Sequence, residues 1–203
     1  YPIIPAAEPK KVLVIGGDKM STIIDPMDRA TCILFGDGAA AVLVEPSRNG
    51  FGIEHSYLRC DGTGREYLRI DVGGSINPPT AENTAFGGQY VHQDGRAVYR
   101  YAVTNMCEAS QNVLNSCGLD ASQIDYLLPH QANLRIIESV TEHLGLPKEK
   151  VLVNIERYGN TTDGTLPLLL WDFEKTLKKG DKLLLTTFGG GFTWGSMYLT
   201  WDY

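Results

Sequence analysis

Long apolar runs are missing from this sequence. None approaches the roughly 20 residues that a helix needs to span a bilayer. An excess of basic charge is missing too. Eighteen Lys and Arg stand against 24 Asp and Glu, a formal net charge of −6. With a pI near 5.2, the chain is a poor general nucleic-acid binder, which wants a basic stripe. Cysteine is sparse: Cys32, Cys60, Cys107 and Cys117 show no C-x-x-C spacing and no His-rich neighbourhood. That argues against a metal site and against a disulfide framework, and it fits reduced thiols in a cytoplasmic protein. Tyr1 to Pro9 has neither a basic region nor an apolar core, so it does not read as a signal peptide. Its three prolines suggest an extended lead-in.

What is present fits a soluble globular domain. Hydrophobic residues make up 43% of 203 residues, enough for one core and up to one and a half domains. Glycine is plentiful at 22 residues, and much of it is clustered, which suggests tight turns near a ligand. Lys11 to Ile15 is a continuous apolar run and reads as a strand buried on both faces. Gly16-Gly17-Asp18 ends it. Cys32 to Val44 reads as a strand pair or one bent strand, with Gly36-Asp37-Gly38 as the bend. Asp37 could ligate a metal, but such an aspartate more often caps local amides.

Phe51 to Leu58 and Tyr67 to Val72 read as strands. Residues 73–89 form a loop rich in Gly, Pro and Asn, of the kind used for binding or dimer contacts. Gly95 to Cys117 is helical: Val98, Ala102, Met106, Ala109, Val113 and Cys117 recur at helical spacing, and Gly118 suits the position after the helix. From Ile124 onward the order is strand, helix, strand, helix, strand, strand. The strands are Ile124–Leu128, Val151–Ile155, Lys182–Thr187 and Met197–Trp201, and the second helix is Leu166–Leu177. Such alternation predicts a mostly parallel sheet covered by helices.

The chain centres on Leu127-Leu128-Pro129-His130-Gln131. His130 falls where a strand ends and a helix begins, as Ile137, Val140 and Leu144 show by their spacing. Open α/β sheets place ligands at that junction. A histidine there can also merely cap the helix or satisfy a loop carbonyl. Two further junctions tip the balance. One leads through Glu156-Arg157-Tyr158-Gly159 to Asn160, and the other ends in the glycines 189–191. Parallel neighbouring strands would bring these ends to one pocket. An imidazole N–H and an asparagine amide can both donate to a thioester oxygen as it gains charge, and bare glycine backbone can approach it. No cysteine in the sequence sits on a strand-to-helix elbow where its thiol would be activated.

PHQANLRI (129–136), YGNTTDGTLP (158–167) and FGGGFTWGS (188–196), in that order, resemble the C-terminal half of β-ketoacyl-acyl-carrier-protein synthase III. DRATCILFGDGAAAVLVEPS (28–47) resembles the strand pair just before that half. The resemblance runs from Lys11 to Tyr203. It implies a thiolase-like fold, layered αβαβα, here the C-terminal half with a mixed, mostly parallel five-stranded sheet. Residues 1–47 would end the N-terminal half and 48–203 would form the C-terminal half. Of the family's Cys-His-Asn set, it implies His130 and Asn160, with the cysteine upstream of this sequence.

The resemblance also implies a backbone contact at Gly190. It makes Gln131, Ala132, Asn133, Leu134 and Arg135 a carrier-protein-facing segment, with Asn133 bonding near His130. Arg29, Ala30, Arg96, Tyr99 and Phe188 would line the coenzyme A and acyl site. Arg96 and Arg100 also read as a solvated helix face. The implied reaction condenses a short acyl-CoA with malonyl carrier protein to begin fatty-acid synthesis. It needs no metal or cofactor beyond the coenzyme A thioester used as substrate. The implied assembly is a cytoplasmic homodimer without nucleic-acid or membrane partners. The alternatives are a non-catalytic partner subunit, or a related condensing enzyme acting on another acyl group.

Overall fold

The computed structural model describes residues 11–203, so the proline-rich lead-in lies outside the described residues. The strands are β1 (Val12–Asp18), β2 (Gly38–Val44), β3 (Gly52–Cys60), β4 (Leu68–Ile70), β5 (Val91–Gln93), β6 (Tyr126–Pro129), β7 (Lys182–Gly189) and β8 (Thr193–Thr200). The helices are α1 (Ala81–Thr84), α2 (Gly95–Cys117), α3 (Leu134–His143), α4 (Ile155–Tyr158) and α5 (Thr165–Phe173).

Local chemistry explains the long helix. Asp94 caps α2 by accepting from Arg96 N and Ala97 N, and Gly118 closes it at φ +65°. The helix spans the residues that the periodicity predicts. α1 is one short helical turn within the 73–89 loop, capped by Thr80.

The principal sheet has the order β3-β8-β7-β6. It is mixed, as expected, but its balance differs from a mostly parallel five-stranded sheet. Only β6 and β7 form a parallel ladder, while β7–β8 and β3–β8 are antiparallel. The tight turn between β7 and β8 forces this, because a short hairpin can join only antiparallel strands. The predicted strand Val151–Ile155 shrinks to one parallel bridge, Leu127 to Val151. Leu152 N still donates to Leu127 O, but Asn154 N and Ile155 N donate to the Gln131 side chain instead of to a strand, and α4 begins there.

Alternation along the strands separates two cores. Leu127 and Leu184 face α2 and α3, packing with Met106, Val113, Leu114, Ile136 and Val140. Leu128 and Leu183 face the opposite way, packing with Leu152, Leu169 and Leu177 around α5. Those four strand leucines are fully buried, and each contributes about 1.5–3 kcal/mol.

β1 and β2 form a separate antiparallel ribbon, Val12 opposite Val44 through Asp18 opposite Gly38. The expectation that Lys11–Ile15 is buried on both faces fails here: Leu13 is 58% exposed and Ile15 is 70% exposed. The segment before β2 is also not a strand. Cys32 N bonds Asp28 O and Leu34 N bonds Thr31 O, so Cys32–Leu34 turns. Only Phe35 pairs, and its partner is Asn160. Asp37 takes Ser21 N at 2.7 Å and the Ser21 hydroxyl at 2.6 Å. These bonds hold its carboxyl below the usual range, the hydroxyl contributing most. Asp37 is thus bonded to Ser21, sixteen residues earlier, and not to a neighbouring amide.

Candidate active site

His130 follows the last residue of β6, and its amide continues the parallel ladder by donating to Thr186 O at 2.8 Å. It does not cap α3. Asn133 does, its side-chain oxygen accepting from Arg135 N at 2.9 Å. The imidazole is buried, and Nδ1 has no hydrogen-bond partner among the described residues. Burial penalises the charged ring and pulls its pKa down to about 4. The ring is therefore neutral at physiological pH, with one N–H to donate.

Asn160 is buried as well. Its backbone is gripped from the ribbon side: Asn160 N donates to Leu34 O at 2.8 Å, and Gly36 N donates to Asn160 O at 2.9 Å. Only glycine permits that approach, since a Cβ on Gly36 would lie 2.0 Å from Tyr158 O. The Asn160 Oδ1 accepts from Thr162 N at 2.9 Å. With its oxygen held, the amide nitrogen faces away and has no hydrogen-bond partner among the described residues.

Gln131 connects the two. Its amide donates to Thr165 Oγ1 at 2.9 Å, and its Oε1 accepts from Asn154 N and Ile155 N. Its Nε2 donates to Pro129 O at 2.8 Å. It is 1% exposed, so its side chain faces inward and is spent on the interior, not on a carrier surface. This corrects the expectation that all of 131–135 faces outward. Leu134 and Arg135 are exposed, and Ala132 and Asn133 are half-buried.

The remaining expected site residues fall in three places. Phe188 is buried on the α2 side of β7, its ring 4.8 Å from that of Phe192. Gly190 lies in the exposed β7–β8 turn, beyond the end of β6. The turn is tied to the β3 end by Phe192 N to Asp61 O at 2.7 Å and Asp61 N to Phe192 O at 2.8 Å. Arg96 and Tyr99 line an open cleft of about 450 Å³ with Tyr67, Asp94 and Arg100. Tyr99 bonds Ser139 at 2.7 Å, pinning α2 to α3, and the Arg135 guanidinium lies 5.3 Å from its ring. Arg29 and Ala30 sit on an exposed turn that Asp28 organises.

Cys107 and Cys117 are poor candidates for a nucleophile. Cys107 is buried in the core, which pushes its thiol up to about 11. Cys117 is also raised, chiefly by burial. No group of three or more His, Cys, Asp or Glu side chains among the described residues is arranged to hold a metal. Sequence reasoning missed Asp18, Thr162 and Thr165. The density of hydroxyl and acidic residues in Asn160-Thr161-Thr162-Asp163-Gly164-Thr165 was the available signal.

The mixed α/β arrangement is that of solved 3-oxoacyl-carrier-protein synthases. The structure is similar to the crystal structure of 3-oxoacyl-[acyl-carrier-protein] synthase III from Aquifex aeolicus, with a TM-score of 0.85 at 39% identity, over 95% of this chain and 58% of that one. The family model for the 3-oxoacyl-[acyl-carrier-protein (ACP)] synthase III C terminal matches residues 114–201, and that for 3-oxoacyl-[acyl-carrier-protein (ACP)] synthase III matches residues 2–62.

The chain belongs to the 3-oxoacyl-[acyl-carrier-protein] synthase III family. It is 51% identical to beta-ketoacyl-[acyl-carrier-protein] synthase III 1 of Bacteroides thetaiotaomicron, over 96% of this chain and 58% of that protein. It is 48% identical to beta-ketoacyl-[acyl-carrier-protein] synthase III of Phocaeicola vulgatus, over 99% of this chain and 60% of that protein. The chain thus spans about three-fifths of the length of these relatives.

Proposed function

We propose that this chain supplies the His and Asn of a β-ketoacyl-acyl-carrier-protein synthase III, an acyltransferase that starts fatty-acid synthesis. The observation that carries the reading is the pair of neutral buried donors. His130 is kept uncharged by burial, and Asn160 has its carbonyl oxygen already occupied by Thr162 N. A scaffold protein needs neither.

The reaction runs in two stages. A cysteine thiolate, on a part of the protein that these residues do not span, attacks the acyl-CoA carbonyl. The C–S bond to coenzyme A breaks and the coenzyme leaves as its thiolate. Malonyl carrier protein then enters. Its terminal C–C bond breaks, releasing CO₂ and leaving the electron pair in an enolate. His130, protonated on Nε2, and the Asn160 amide nitrogen donate to the enolate oxygen as charge builds there. The enolate carbon attacks the acyl-cysteine, forms the new C–C bond and expels the cysteine thiolate. A neutral imidazole suits this work because it donates without giving up its proton to the thiolate.

In this reading, Gly190 offers backbone near the reacting thioester, and Phe188 borders the acyl chain. Tyr99 also borders the acyl pocket, Arg96, Arg29 and Ala30 meet coenzyme A, and Arg135 meets the acidic carrier. Arg135 gains support from Arg96 and Arg100, which make that side locally basic on an acidic chain. Residues up to 47 close the N-terminal half and 48–203 form the C-terminal half of a cytoplasmic C₂ homodimer. No described helix is long and apolar enough to cross a membrane.

The test uses the full-length enzyme. His130→Ala and Asn160→Ala should each slow CO₂ release from malonyl carrier protein by roughly 10²–10³-fold. Acyl-enzyme formation, read by mass spectrometry, should persist in both. Decarboxylation at the wild-type rate in both variants would overturn the reading.

A further inference from the structure

We propose that Asp18 is a positioning residue for Asn160, acting through Thr162. The inference rests on reading Asn160 as the enolate donor. Asp18 is the last residue of β1, distant in sequence from the turn that follows Asn160. Its Oδ2 accepts from the Thr162 hydroxyl and, at 3.1 Å, from Asp163 N. Thr162 has φ +49°, a left-handed backbone that a β-branched residue rarely adopts. The amide of this same residue, Thr162 N, donates to Asn160 Oδ1 at 2.9 Å.

The carboxylate thus secures an unfavourable backbone turn, and the turn fixes which end of the Asn160 amide faces the site. β1 comes close enough because its residue 16 is glycine: a Cβ there would lie 2.2 Å from Asp163 O. Without the clamp the Asn160 amide can turn over, since its terminal torsion is broad and two-fold. It would then aim oxygen, not N–H, at the enolate.

In the full-length enzyme, Asp18→Ala should slow malonyl decarboxylation by roughly 10–100-fold, the scale for a misplaced catalytic group. Acyl-enzyme formation should stay at the wild-type rate. In an Asn160→Ala background, Asp18→Ala should add nothing, because both changes act through one amide. Adding Thr162→Gly should recover at least about tenfold of the Asp18→Ala loss, because glycine takes φ +49° freely and keeps the N–H. Asp18→Asn, which keeps an acceptor oxygen, should remain near wild type. If Asp18→Ala gives no soluble enzyme, Thr162→Val carries the same expectation as Asp18→Ala. Wild-type decarboxylation in Asp18→Ala beside a slow Asn160→Ala would overturn the proposal. So would independent, multiplying losses, or no recovery with Thr162→Gly. A wild-type rate in Asn160→Ala would instead sink the reading of the site, and the role of Asp18 with it.

Discussion

The principal sheet and the β1–β2 ribbon are built from similarly apolar strands, yet their side chains end in opposite surroundings. Leu183 and Leu184 of β7 are fully buried, while Leu13 and Ile15 of β1 are 58% and 70% exposed. The difference lies in what covers them. The sheet carries α2 and α3 on one face and α5 on the other. Among the described residues, the ribbon packs chiefly against α5 and the turn after Asn160. The site is divided along the same line. His130 hangs on the sheet, while Asn160 is held by backbone bonds from the segment leading into β2. Two donors proposed to serve one oxygen therefore depend on two differently supported regions.

The largest effect should come from the ribbon's bare surface. Residues 1–203 expressed alone should self-associate, because contiguous exposed apolar side chains on this scale drive aggregation. Sedimentation should show large species, and Ile15→Lys with Leu13→Lys should shrink them. A cooperatively melting monomer without those changes would break the comparison.

Two glycines sharpen it next, tested in the full-length enzyme. Gly36→Ala puts a methyl 2.0 Å from Tyr158 O, whereas at Gly190 the nearest atom is Leu68 Cδ2 at 3.8 Å. Gly36→Ala should therefore cost more than about 4 kcal/mol, and Gly190→Ala less than about 1 kcal/mol. Thermal melts measure both, and equal shifts would mean that the ribbon side is as tolerant as the sheet hairpin.

The sheet side is open to test by pH. The His130 pKa falls from 6.5 to about 4 on folding. Between those values the unfolded chain binds more protons, so stability rises with pH across the window. The contribution is complete above pH 6.5 and is lost as pH falls toward 4, an effect of about 3 kcal/mol. Melting the full-length enzyme at pH 7 and pH 4.5 should show the loss, and His130→Gln should diminish it. An unchanged slope in that variant would mean that other groups carry the acid sensitivity.

The smallest effect should be at the exposed rim. Arg135→Glu should raise KM for malonyl carrier protein with little change in transfer from acyl-CoA. The effect should shrink as salt rises, because a rim charge acts through association. Equal losses in both half-reactions would make Arg135 structural.

Much of the sheet region was legible in the sequence. The period of α2, its Asp94 cap and its Gly118 stop depend on neighbours a few residues away, and the helix runs where they place it. His130 was legible for the same reason, standing between an apolar strand and a periodic helix. The role of Gln131 was not. Its side chain serves amides more than twenty residues away, and nothing in HQAN tells an inward glutamine from an outward one. The strand expected at Val151–Ile155 failed for that same reason, since Gln131 takes the amides a strand would have used.

Sequence alone determined the elements whose hydrogen bonds close locally, and with them the family motifs around His130, Asn160 and the glycine turn. Tertiary structure decided which apolar strands are covered and which way Gln131 faces. It also brought Asp18 to the turn beside Asn160. Those outcomes turn on contacts between residues far apart in the chain, which no local pattern encodes: Asp18 meets Thr162 because Gly16 lets β1 approach the backbone of Asp163.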